Sequence, residues 1–148
     1  MRATTTPLSP ATQNTLALVG RILLAFLFVM SGFNKLTSID GTIAYMQHGG
    51  VPMASILVYP TILVELGGGL LLMLGWQTRA VAALLFLFLI PVTLLFHNPA
   101  TDPTQAQTQM INLMKNLSIM GGMLQLIAFG PGGFSLDARR GPSDHAIM

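Results

Sequence analysis

Only three charged side chains, Arg21, Glu65 and Lys115, interrupt four long apolar stretches. These stretches cover residues 16–33, 53–74, 80–96 and 111–129. Each approaches the ~20 residues that a helix needs to cross ~30 Å of hydrocarbon. Lipid offers no partner to backbone N–H and C=O groups, so a spanning segment must satisfy them internally. The stretches are therefore predicted as helices. A β-barrel would show alternating segments of about ten residues, and none is present. Composition agrees, because only 12 of 148 residues (8%) are charged, against about 25% in soluble domains. Hydrophobic residues make up 52%, and mean hydropathy is +0.66. So few charges cannot cover the surface of a water-soluble monomer. A disordered chain would be poor in apolar residues instead.

The expected fold is an all-α membrane protein, a four-transmembrane-helix bundle with a short interfacial helix between spans one and two. Residues 1–15, with Pro7, Pro10 and four threonines within the first twelve positions, read as a disordered cytoplasmic tail. The transmembrane domain covers 16–130, and residues 131–148 form a second cytoplasmic tail that begins at the helix stop Gly130-Pro131-Gly132-Gly133. No small-residue cleavage site follows the first apolar run, so that run is expected to remain as a span. Between spans one and two, Ile39, Ile43, Ala44 and Met46 recur at helical spacing behind the capping candidates Ser38 and Asp40. They predict a short helix ending at Gly49-Gly50. Arg2, Arg79, Arg139 and Arg140 fall on one side of the bundle, and Lys35 on the other. This bias places both termini in the cytoplasm, with Trp76 as an interfacial anchor.

Three spans carry polar and small residues along one face, the pattern of an inward surface in lipid. They are Arg21, Ala25, Phe28, Gly32 and Lys35 in span one; Thr61, Glu65, Gly68 and Leu72 in span two; and Asn112, Lys115, Ser118, Gly122 and Gln125 in span four. Span three lacks such a stripe before Pro91 and is expected to face lipid most. Measured from the cytoplasmic ends of their spans, Arg21 lies ~7.5 Å deep and Glu65 ~13.5 Å, an offset of ~6 Å. An intramembrane Arg21–Glu65 pair follows, because either charge alone at that depth would cost about 2.5–3.5 kcal/mol or more. Two roles are open to it: a structural clamp between helices, or a binding and proton-handling site. Lys35, His97, Asn112, Lys115 and Asn116 converge near the opposite boundary, where their donors suit a quinone carbonyl or an anion. The bland reading of each is a solvated helix end.

No metal site is assigned. His97 is the only histidine at a span end, where haem b between helices needs two facing ligands. Met110 and Met114 read as packing residues rather than as a copper site. The chain has no cysteine, which removes thiol chemistry and cysteine-ligated clusters. Net charge is only +2, so no nucleic-acid footprint is present. No autonomous catalytic motif is visible.

Several segments resemble the DoxX family when taken in order. They are Gly20-Arg21, Ser31-Gly32-Phe33-Asn34-Lys35-Leu36, Gly49-Gly50-Val51-Pro52, and Val64-Glu65-Leu66-Gly67-Gly68-Gly69-Leu70-Leu71-Leu72 with Gly75. Lys115-Asn116-Leu117 with Gly121-Gly122, and Gly132-Gly133-Phe134-Ser135-Leu136-Asp137, complete the series. The resemblance covers about residues 16–140. It implies a small bacterial inner-membrane protein with a four-helix bundle, in a family named after a subunit associated with a thiosulfate:quinone oxidoreductase. By that match Arg21, Lys35, Glu65 and Lys115 are the positions carried over. The function expected is a subunit or accessory of a membrane redox system that binds a quinone-like molecule. Its partners would be the bilayer, a membrane or soluble oxidoreductase, and a second copy of the chain. The alternatives are a non-enzymatic scaffold or assembly subunit, and a permease for a small solute or lipid.

Overall fold

The computed structural model describes residues 7–100 and 103–140; parts of both expected tails and of the 98–109 loop lie outside them. Helix α1 (Pro10–Thr37) begins six residues before the first apolar stretch. Ser9 caps it by accepting from the Thr12 N–H, and Pro10 occupies the first helical position, where its missing N–H costs nothing. Helix α2 (Ile39–His48) follows as the spacing predicts, and closes at Gly49.

Next comes a continuous rod from Ala54 to Leu74, built of α3 (Ala54–Ile62), a π-helical turn (Leu63–Gly67) and α4 (Gly68–Leu74). Pro60 lies inside α3, five residues before Glu65 at the centre of the π turn. Helix α5 (Thr78–Phe96) returns antiparallel to the rod. A short 3-10 turn (Pro103–Gln105) then leads into α6 (Ala106–Phe129), and the short α7 (Leu136–Arg139) ends the described chain.

Every long described element is helical, and three are long and apolar enough to cross a membrane: α1, the Ala54–Leu74 rod and α5. Helix α6 spans 24 residues, but Asn112, Lys115, Asn116, Ser118 and Gln125 dilute its apolar character. Large side chains point outward as they do in lipid-facing helices, with Leu63 72% and Leu94 67% exposed.

Helix α1 packs mainly on the π turn and α4, and α5 mainly on α6. Two glycines bring α1 and the rod backbone to backbone. A Cβ on Gly32 would lie 2.6 Å from the Leu66 nitrogen, and one on Gly69 would lie 2.9 Å from the Val29 nitrogen. The core between the helices consists of Ala25, Phe28, Leu72, Val81, Ala82, Leu85, Leu89 and Met123.

The first two polar stripes face inward. Arg21, Ala25, Phe28 and Gly32 are buried on α1, as are Glu65, Gly68 and Leu72 on the rod. The expectation for the other two spans is reversed. Helix α5 buries Thr78, Val81, Ala82, Leu85, Leu89 and Thr93, whereas α6 buries only Met123. Lys115, Ser118 and Gln125 are exposed. An apolar face can pack inward as well as a polar one, so polarity alone misassigned these two helices.

The C-terminal segment is an ordered strap through Arg140. Asp137 caps α5 from across the chain, accepting from the Gln77 N–H at 2.7 Å and the Thr78 N–H at 2.8 Å. The Asp137 N–H donates to the Gly75 carbonyl, and the Gly133 N–H to Asn14 Oδ1 at 2.8 Å. Arg140 sits 5.4 Å over the Trp76 ring. Asp137→Ala is expected to lower stability by about 1–2 kcal/mol, the usual worth of a helix cap, with a matching fall in the thermal midpoint in detergent.

Candidate functional site

Arg21 and Glu65 lie at different levels of the bundle. Arg21 is 2% exposed and donates to the carbonyls of Pro131 at 2.6 Å, Phe134 at 2.8 Å and Met73 at 3.5 Å. Its charge rests against the carbonyl end of α4, where the helix dipole favours a cation. Glu65 pairs instead with Lys35, Nζ to Oε2 at 2.8 Å. The Arg21–Glu65 pair read from the sequence is therefore replaced by two separate arrangements.

The glycine contacts explain the difference. Gly32 opposite Leu66 and Val29 opposite Gly69 place residue 33 level with Glu65. That position is twelve residues beyond Arg21, or ~18 Å along α1. Span ends drawn from hydropathy gave ~6 Å because they could not supply the helix register.

Lys35 and Glu65 form the polar wall of a cavity of about 330 Å³. Helix α1 contributes Phe28 and Ser31, α2 contributes Tyr45, α5 contributes Phe88 and Phe96, and α6 contributes Asn116. The apolar wall includes a stacked pair, Tyr45 on Phe96, with ring centroids 5.0 Å apart. Lys35 Nζ also donates to Ser31 Oγ at 2.7 Å. Asn116 Nδ2 donates to Thr93 Oγ1 at 2.8 Å, tying α6 to α5 at the cavity floor. His97 lines the cavity and engages Gln109 Oε1 through Nδ1 at 3.2 Å.

Of the five ligand-binding candidates, Lys35, His97 and Asn116 are brought together here, and Glu65 joins them. Asn112 and Lys115 do not line the cavity; Lys115 is on the exposed side of α6. Sequence reasoning missed Phe88 and Phe96, which carry no polar mark within the apolar α5, and Tyr45 of the short α2, whose facing toward the bundle no pattern announced. No group of three or more histidine, cysteine or acidic side chains suited to a metal is present among the described residues.

The DoxX family profile matches residues 16–98, the segment that supplies Lys35, Glu65 and most of the cavity wall. The chain belongs to the DoxX family. It is 38% identical over 120 residues to the inner membrane protein YqjF of Escherichia coli K12, covering 81% of this chain and 88% of that one. It is 33% identical over 135 residues to the inner membrane protein YphA of the same organism, covering 87% and 93%. The Surfeit locus protein 4 homolog of Drosophila melanogaster is 29% identical over 133 residues, covering 86% of this chain and 42% of that protein. No solved structure gives a significant match. With three apolar spans, this DoxX-family chain is an integral membrane protein.

Proposed function

We propose that this DoxX-family protein resides in a bacterial inner membrane and holds a quinone-like ring in the Lys35–Glu65 cavity, as a component of a membrane redox system. Helix α6 makes the fourth crossing, α2 lies along the outer interface, and the end carrying both termini is cytoplasmic. The 24 residues of α6 rise ~36 Å, enough for a crossing, and the Lys and Arg bias supports the orientation.

One observation carries the ligand reading: an aromatic-walled cavity with a charged pair at one side. Its 330 Å³ falls at the small end of ligand pockets, about 300–1,000 Å³. The residues suit a quinone head. An ammonium has three donors, and Lys35 directs two at Ser31 and Glu65, leaving one for a ring carbonyl. Glu65 Oε2 is buried beside the Lys35 ammonium, and an ionised carboxylate, with about four lone-pair sites, can accept from a ring hydroxyl as well. Asn116 and His97 would orient the ring edge, and Phe28 and Phe88 would exclude water from its faces. A bound quinone would supply two-electron redox chemistry, exchanged with an oxidoreductase partner.

A scaffold would be served by a packed interior. A permease would need a path through the other end, where Arg21 and the strap fill the space. The test is native mass spectrometry of the full chain released from inner membranes, followed by equilibrium binding of decyl-ubiquinone in nanodiscs. A retained quinone and saturable binding are expected, with Lys35→Met weakening binding at least tenfold. Absence of both retention and saturable binding would overturn the reading.

A further inference from the structure

The cavity is too small to enclose a long isoprenoid chain, so a tailed ligand must leave part of itself outside. A volume of 330 Å³ matches roughly ten waters at about 30 Å³ each, room for one substituted ring and little more. The exit can be located from helix contacts. Helices α1 and α6 meet closely at Leu24 and Gly122, where a Cβ on the glycine would lie 3.2 Å from Leu24 Cδ2.

One turn further along α1, Leu27 lines the cavity while remaining 46% exposed on the helix surface. Tyr45 of α2 also lines the pocket and is exposed, but Leu27 is the wholly apolar one of the two and lies beside the α1–α6 contact, so it joins the pocket to the apolar outside. Ser31 and Lys35 of α1, and Asn116 of α6, line the cavity beyond this point. The wedge between α1 and α6 thus runs from an apolar rim at Leu27 to a polar end at Lys35 and Glu65. Beyond the rim, α1 presents Leu23, 69% exposed, and Phe26, 55% exposed.

We infer that the natural ligand is a tailed, bilayer-borne quinone admitted sideways between α1 and α6, its ring at Lys35–Glu65 and its hydrocarbon chain passing Leu27 into the lipid. This rests on the proposed quinone reading and adds the class of ligand and its route. A water-soluble, tail-less ring would have no use for an apolar rim. The charged pair stands beyond the rim because the ring, and not the chain, carries the hydrogen-bonding oxygens.

The full chain in nanodiscs is tested with decyl-ubiquinone and with the same ring lacking its tail. Wild type is expected to prefer the tailed ligand at least tenfold, and Leu27→Trp to reduce that preference at least fivefold. An analogue with a diazirine at the tail end gives a second readout that needs no variant. Crosslinks are expected on Leu23, Leu27 or α6. An unchanged preference in Leu27→Trp, or crosslinks confined to α2 or α3, would overturn the lateral route while leaving the quinone reading intact. Binding of neither ligand to wild type would overturn both.

Discussion

Arg21→Ala is expected to destabilise the bundle by about 3–5 kcal/mol, the largest loss for any single side chain in this fold. The guanidinium is buried, and its donors serve carbonyls of Pro131, Phe134 and Met73. Hydrogen bonds to a charged group are worth about 1.5–3 kcal/mol each, and a buried carbonyl left without a donor costs about 1–3 kcal/mol. These terms overlap, so their simple sum overstates the loss. Steric-trapping unfolding in bicelles measures it. Trypsin should also cut faster at Arg139 and Arg140 once the strap is released. Arg21→Lys is expected to recover only part of the stability, because one ammonium cannot span carbonyls that a planar guanidinium reaches together. A loss below about 1 kcal/mol for Arg21→Ala, well under the worth of one charged hydrogen bond, would mean that the strap is held by its other contacts, Asp137 on the start of α5 and Gly133 on Asn14.

Lys35→Met is expected to cost about 2–3 kcal/mol by leaving the Glu65 carboxylate buried and uncompensated. Breaking a fully buried pair costs about 3–5 kcal/mol. Lys35 keeps 27% of its side chain exposed, so water screens part of that term. The double variant Lys35→Met with Glu65→Gln should regain most of the loss, since a neutral amide needs no counterion. The same unfolding assay reads both variants. A nearly neutral Lys35→Met, or no recovery in the double variant, would contradict the pairing.

Much of this architecture was legible in the sequence because the bilayer restricts the options. Apolar length located α1, the rod and α5, and the helical spacing of Ile39, Ile43, Ala44 and Met46 ahead of Gly49-Gly50 located α2. Stripe periodicity identified the buried faces of α1 and the rod. Partner choice was not legible. It depends on the register between helices, which the Gly32–Leu66 and Gly69–Val29 approaches set, and hydropathy marks neither contact. Lys35 reads as a ligand-binding candidate at the far boundary and not as the partner of Glu65, yet the same register brings the two together. The start of α1 was written in Ser9-Pro10, a capping serine before proline, but the run of threonines around it read as a tail. The strap was hidden for another reason. Its binding groups are backbone carbonyls, which no side-chain pattern announces. The outward turn of Lys115 was equally silent, because α5 fills the interior with leucine and valine.

The strap also sets an order of events during synthesis. Arg21 precedes its acceptor Phe134 by 113 positions. At about 5–20 residues per second the ribosome needs ~6–23 s to make that length. Until then α1 carries a guanidinium whose two shortest acceptors, the Pro131 and Phe134 carbonyls, do not yet exist, so the side chain must reach toward the headgroups. The bundle can close around Arg21 only when the last residues of the strap arrive. A chain that stops short of residue 131 keeps all its long helices and loses two of the carbonyls that solvate their buried arginine, making completed translation itself the signal for final assembly.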